Sequence, residues 1–119
     1  MKCGWPTVLC LVGACAENPP LACTEEARPG LSVTVRDSVT SGTLADGVEV
    51  VAAEGAFADT ARASLLGSGV YSLVYERAGT YDVTVSHPAY QTWRLSAVVV
   101  TADQCHVRTV SVLARLQRP

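Results

Sequence analysis

The chain has 119 residues, of which 49% are hydrophobic and 17% charged, enough apolar content to fold one small domain and too much for disorder beyond a short linker. Its formal charge of -2 is spread without runs, which excludes a basic nucleic-acid footprint and a polybasic membrane patch.

The first residues read as a targeting segment. Lys2 supplies a minimal positive start, Trp5 to Val12 form a short apolar stretch, and small residues follow. The stretch is shorter than the roughly 20 apolar residues a bilayer span needs. Val12-Gly13-Ala14-Cys15 resembles a bacterial lipobox, in which the Cys15 thiol takes a diacylglyceryl group and becomes the new N-terminus. Ala14-Cys15-Ala16 also fits the small-x-small rule of ordinary signal cleavage, which would discard Cys15 and release the protein. Residues 1–15 are thus expected to be a signal peptide with lipobox. Residues 16–27 are expected to form a tether and lead-in, with Asn18-Pro19-Pro20 favouring extended geometry that holds the domain at most about 20 Å from a surface.

Of the five cysteines, Cys3 and Cys10 lie in the removed segment and Cys15 is either lipidated or removed. Cys23 and Cys105 remain as an even pair, expected to form a disulfide in an oxidising compartment.

The domain is expected over residues 28–119. Arg28-Pro29-Gly30 turns into Leu31 to Asp37, where Leu31, Val33 and Val35 alternate with polar neighbours as in a half-buried strand. Ser38 to Gly47 reads as a loop, and Val48 to Glu54 as a second strand with Val48, Val50 and Ala52 on one face. Ala56 to Leu65 fits either a weak edge strand or a meandering loop. Val70 to Glu76 and Thr80 to Ser86 place Tyr71, Leu73 and Tyr75, then Tyr81, Val83 and Val85, on single faces. His87-Pro88-Ala89-Tyr90 interrupts the alternation, since proline lacks a ladder N–H. Strands from Gln91 to Thr101 and from Cys105 to about Leu116 complete six or seven short strands. The expected fold is all-β, a seven-stranded antiparallel sandwich of Greek-key type.

Val33-x-Val35-x-Asp37, Gly47-Val48-x-Val50, Gly69-x-Tyr71-x-Leu73, Ala78-Gly79-x-Tyr81-x-Val83-x-Val85 and His87-Pro88-Ala89-Tyr90 resemble the carboxypeptidase regulatory-like domains. The resemblance runs from Leu31 to about Leu113 and implies a transthyretin-like, or prealbumin-like, sandwich. One departure is Ala89, where the family usually carries glycine. The resemblance implies a non-enzymatic accessory or binding module needing no cofactor. A second transthyretin-like branch hydrolyses hydroxyisourate through histidines, an arginine and a Tyr-Arg-Gly-Ser tail. This sequence has Arg115-Leu-Gln-Arg-Pro119 in that place and is not expected to share that activity.

No catalytic or metal-binding constellation stands out. His106 beside Cys105 suggests a zinc pair, but neighbours on a strand face opposite ways, so a surface histidine beside a disulfide is expected. His87 with Ser86 or Asp82 forms a trio of the kind chance supplies. Asp37, Asp46 and Asp59 suit turn capping as well as weak calcium binding. Tyr90 and Trp93 are the candidate binding surface, as aromatics able to stack on sugar or grip a protein, although both types also fill sandwich cores. The expected partners are an envelope protein or glycan, with a lipid anchor in the membrane and no nucleic acid. The expected location is the cell envelope, with secretion as the alternative.

Overall fold

The computed structural model describes residues 22–119. The targeting segment, Cys15 and the Pro19-Pro20 tether lie outside the described residues. Seven strands follow in chain order: β1 (Leu31–Asp37), β2 (Glu49–Glu54), β3 (Phe57–Ala61), β4 (Val70–Leu73), β5 (Gly79–Ser86), β6 (Trp93–Val100) and β7 (Val110–Leu116), with a 3-10 turn at Leu65–Gly67 before β4. They form a three-stranded sheet in the order β4-β1-β7 and a four-stranded sheet in the order β3-β2-β5-β6.

Period-two alternation explains how these sheets pack. Leu31, Val33 and Val35 of β1, Tyr71 and Leu73 of β4, and Val112, Ala114 and Leu116 of β7 are buried on one side. They meet Val50 and Ala52 of β2, Tyr81, Val83 and Val85 of β5, and Val98 and Val100 of β6 in a single cluster. Each sheet alone would leave that apolar face in water, so the two close on one another in a sandwich-like arrangement.

The sheets are not uniformly antiparallel. β1 and β7 run parallel, in register from Leu31 opposite Val110 to Asp37 opposite Leu116. Alternation specifies faces but not direction. Direction is set by the connection after β6, which delivers Val110 to the end where β1 begins, with the Val110 N–H donating to the Gly30 carbonyl at 2.9 Å. Every pair in the four-stranded sheet is antiparallel.

Several boundaries differ from the alternation pattern. The expected final strand from Cys105 begins only at Val110, because the Asp103 carboxylate accepts the N–H groups of Cys105 (2.8 Å) and His106 (2.9 Å) and closes a turn there. Tyr75, expected to face inward with Tyr71 and Leu73, is 52% exposed. The strand ends at Leu73, because Val74 adopts φ +49 and donates its N–H to the Asp59 carboxylate at 2.8 Å. In β6 the run Ala97 to Val100 does not continue the ladder smoothly. A register shift opposite Asp82 puts Ala97 at φ +58, with its N–H held by the Asp82 carboxylate at 3.1 Å. The ambiguous stretch from Ala56 resolves into the edge strand β3 and the short turn after it.

Candidate binding clefts

The two aromatic candidates take different roles. Tyr90 is 8% exposed. Its hydroxyl donates to Asp37 at 2.7 Å and accepts from Arg118 at 3.0 Å, while the Arg118 guanidinium lies 4.8 Å from the ring centre. The His87 ring meets it edge-on at 5.0 Å. Asp37 also accepts the N–H groups of Thr40 and Val39. The Thr40 N–H first, then the Tyr90 hydroxyl and the Val39 N–H, hold the Asp37 carboxyl well below the usual carboxylate range. The hydrogen bond to Asp37 pushes the Tyr90 hydroxyl up, and burial adds to it. Tyr90 is therefore frame, pinning the β5–β6 loop to the end of β1.

Trp93 remains half-buried at the start of β6, opposite Val85. It packs against the core and also lines a cleft of about 290 Å³ with Gln91, Thr92, Arg94, Arg115 and Gln117. β6 and β7 are edge strands of different sheets and lie against one another at this open side. Arg94 thus comes from one sheet and Arg115 from the other. The Gln91 N–H donates to the Gln117 carbonyl at 2.8 Å and the Gln91 side-chain amide to the Arg118 carbonyl at 3.2 Å, tying the two sheets together beside the cleft.

A second cleft, of about 430 Å³, lies at the other end of β6. The Cys23–Cys105 disulfide forms here, with Cα atoms 5.3 Å apart. His106 is 8% exposed rather than at the surface. Its Nε2 pairs with the Thr24 hydroxyl at 2.8 Å and its Nδ1 with the Glu76 carboxylate. Glu76 also accepts the N–H groups of Val107 (3.0 Å) and Arg28 (3.1 Å), and its own N–H donates to the Arg28 carbonyl at 2.9 Å. The bond from His106 first, then the two N–H groups, hold the Glu76 carboxyl down against the opposing effect of burial. The lead-in that carries Cys23 covers the histidine, a long-range contact invisible to local alternation.

This wall carries Glu25, Glu26, Glu76 and Asp103, so the two clefts differ in sign. His87 lies elsewhere, past the far end of β5, with its Nδ1 accepting the Ala89 N–H at 3.0 Å. Eight residues of β5, roughly 25 Å of strand, separate the His87 end from the Glu76 end. The two histidines therefore share no pocket. Asp82 serves Ala97, Asp59 serves Val74 and Asp37 serves its own turn, while Asp46 is exposed. Among the described residues no three His, Cys, Asp or Glu side chains are grouped to hold a metal ion, and no helix is long and apolar enough to cross a membrane.

Sequence reasoning singled out Trp93 but missed Arg94 and Arg115. Arg94 adjoins Trp93 in sequence, a usable signal; Arg115 arrives only through the pairing of sheets. No protein-family model and no curated protein matches the chain.

Proposed function

We propose that the protein is an exported, non-enzymatic binding module of the bacterial cell envelope, anchored through a lipid on Cys15 and built as a transthyretin-like Greek-key sandwich of the carboxypeptidase regulatory-like kind. The observation that carries the reading is the Trp93 cleft, where a half-buried aromatic sits among polar residues on and beside the ends of β6 and β7. Three strands over four support the family resemblance, and the Cys23–Cys105 bridge supports passage through an oxidising compartment. The engagement of His106 and His87 in structural hydrogen bonds favours binding over hydrolysis.

Intact mass of the protein from a membrane fraction and from the medium tests the anchor. A diacylglyceryl species starting at Cys15 is expected in the membrane; an unmodified chain starting after Cys15 in the medium alone would replace the anchored module with a secreted one. The presence of Trp93 in a cleft favours that secreted form being a carbohydrate-binding module. Trp93→Ala is expected to remove binding to envelope polysaccharide while the far-UV spectrum is retained. Retained binding would remove this cleft from the function.

A further inference from the structure

The arginines of the described chain divide into two sets. Arg28, Arg62, Arg77 and Arg118 are ion-paired with Glu26, Glu49, Glu54 and Asp37. Arg36 donates to the Ser41 carbonyl and the Thr43 hydroxyl, and Arg108 donates to the Thr101 hydroxyl. The side chains of Arg94 and Arg115 have no hydrogen-bond or ion-pair partner among the described residues, and both residues line the cleft that holds Trp93. No carboxylate lines that cleft. One arginine from each sheet, neither with a side-chain partner, thus lines this cleft together with a tryptophan, two glutamines and a threonine, a specific recognition chemistry. Guanidinium groups match planar carboxylates through paired N–H donors. The amides and Thr92 match sugar hydroxyls, and an aromatic face suits the apolar face of a pyranose.

We propose that this cleft binds an acidic carbohydrate, with Arg94 and Arg115 taking the carboxylate of a uronic acid and Trp93 carrying the sugar ring. The proposal rests on the reading of the protein as a binding module and names its ligand class. At about 290 Å³ the cleft lies at the lower end of small-ligand sites, roughly 300–1,000 Å³, which suits one or two sugar rings of a longer chain. Trp93 and Arg94 stand on a paired strand, and the Gln91–Gln117 bond fixes the adjoining loop, so the backbone that carries these groups is in place before binding.

The test is calorimetry with tetragalacturonate and with its fully methyl-esterified, uncharged form, alongside a hyaluronan tetrasaccharide and sodium sulfate. At least one acidic oligosaccharide is expected to bind, more weakly as salt rises. The esterified form is expected to bind about tenfold or more weakly than tetragalacturonate where the latter is the ligand. Arg94→Gln and Arg115→Gln are each expected to lower affinity roughly 10-fold or more, the range of a charged hydrogen bond. Both sites are exposed and the variants should fold; Arg62→Gln, outside the cleft, should leave affinity unchanged. Equal binding of acidic and esterified forms, with Trp93→Ala still harmful, overturns the anion and leaves the binding module standing. Acidic binding untouched by all three cleft variants overturns the site. Absence of binding by both acidic probes, or sulfate binding as tight as theirs, overturns the ligand class. Self-association in sedimentation that Arg94→Gln abolishes, without oligosaccharide binding, assigns the arginines to the acidic end of a second copy and overturns the proposal.

Discussion

Reduction of the Cys23–Cys105 bridge removes a cross-link between residues 82 apart in sequence. On the chain-entropy model a loop of this length restricts the unfolded chain by about 15 cal/mol/K, or about 4.5 kcal/mol at 25 °C. The full value applies only if the lead-in stays docked once the bond is gone. Its remaining fastenings are the Thr24–His106 pair at 2.8 Å and the two-way backbone and carboxylate bonds between Arg28 and Glu76. Any release of that segment gives the native state freedom that offsets part of the effect. The expected loss is therefore about 3–4 kcal/mol, or roughly 15–30 °C in melting temperature for a domain of this size. Guanidinium unfolding of the oxidised protein, the reduced protein and the Cys23→Ser/Cys105→Ser double variant measures it. A loss below about 1 kcal/mol would refute the reasoning, because the bridge would then constrain nothing beyond a segment already free in the folded state.

Leu73→Ala removes a fully buried side chain from the inter-sheet core and should cost about 3 kcal/mol in denaturant melts. Gly69→Ala should cost more than about 1 kcal/mol by the same assay, since Gly69 has φ +76 and an added Cβ would stand 2.6 Å from the Thr43 methyl carbon. Acid should destabilise the protein in a defined direction. The carboxyls of Asp37, Glu54, Glu76 and Asp103 all titrate below their ordinary values in the folded state. Their stabilisation is present above the ordinary carboxylate range and is lost as pH falls through the folded-state values, from roughly pH 5 downward. Asp37→Asn should be less stable than wild type at pH 7, and the gap should narrow as the wild type is acidified; a gap constant from pH 7 to pH 3 would contradict the assignment of Asp37.

Much of the fold was legible because burial follows period two wherever a strand has one wet face. Tyr81, Val83 and Val85, for instance, are fully buried as their alternation with Thr84 and Asp82 implies. What alternation cannot encode is direction and irregularity. The parallel pairing of β1 and β7 depends on where a connection ends, and the bulge at Ala97 depends on a carboxylate across the sheet. The sites follow the same division. The Cys23–Cys105 pair was legible by counting, whereas the burial of His106 depends on Thr24 and Glu76, residues 82 and 30 positions away. Trp93 was visible as a residue type, but its neighbour Arg115 lies on another sheet. Tyr90 illustrates the reverse: as a residue type it suited a binding surface or the core alike, and a carboxylate 53 residues earlier draws it inward.

The most direct measurement is a backbone amide map of the isotopically labelled protein during titration with tetragalacturonate and the hyaluronan tetrasaccharide, including the Trp93 indole N–H. A binding surface at the open side between β6 and β7 predicts shifts concentrated at Gln91 to Arg94, Arg115 to Gln117 and the indole. Shifts concentrated instead at Thr24, Glu76 and His106, or in the Ser38 to Gly47 loop, with Trp93 unmoved, would contradict it.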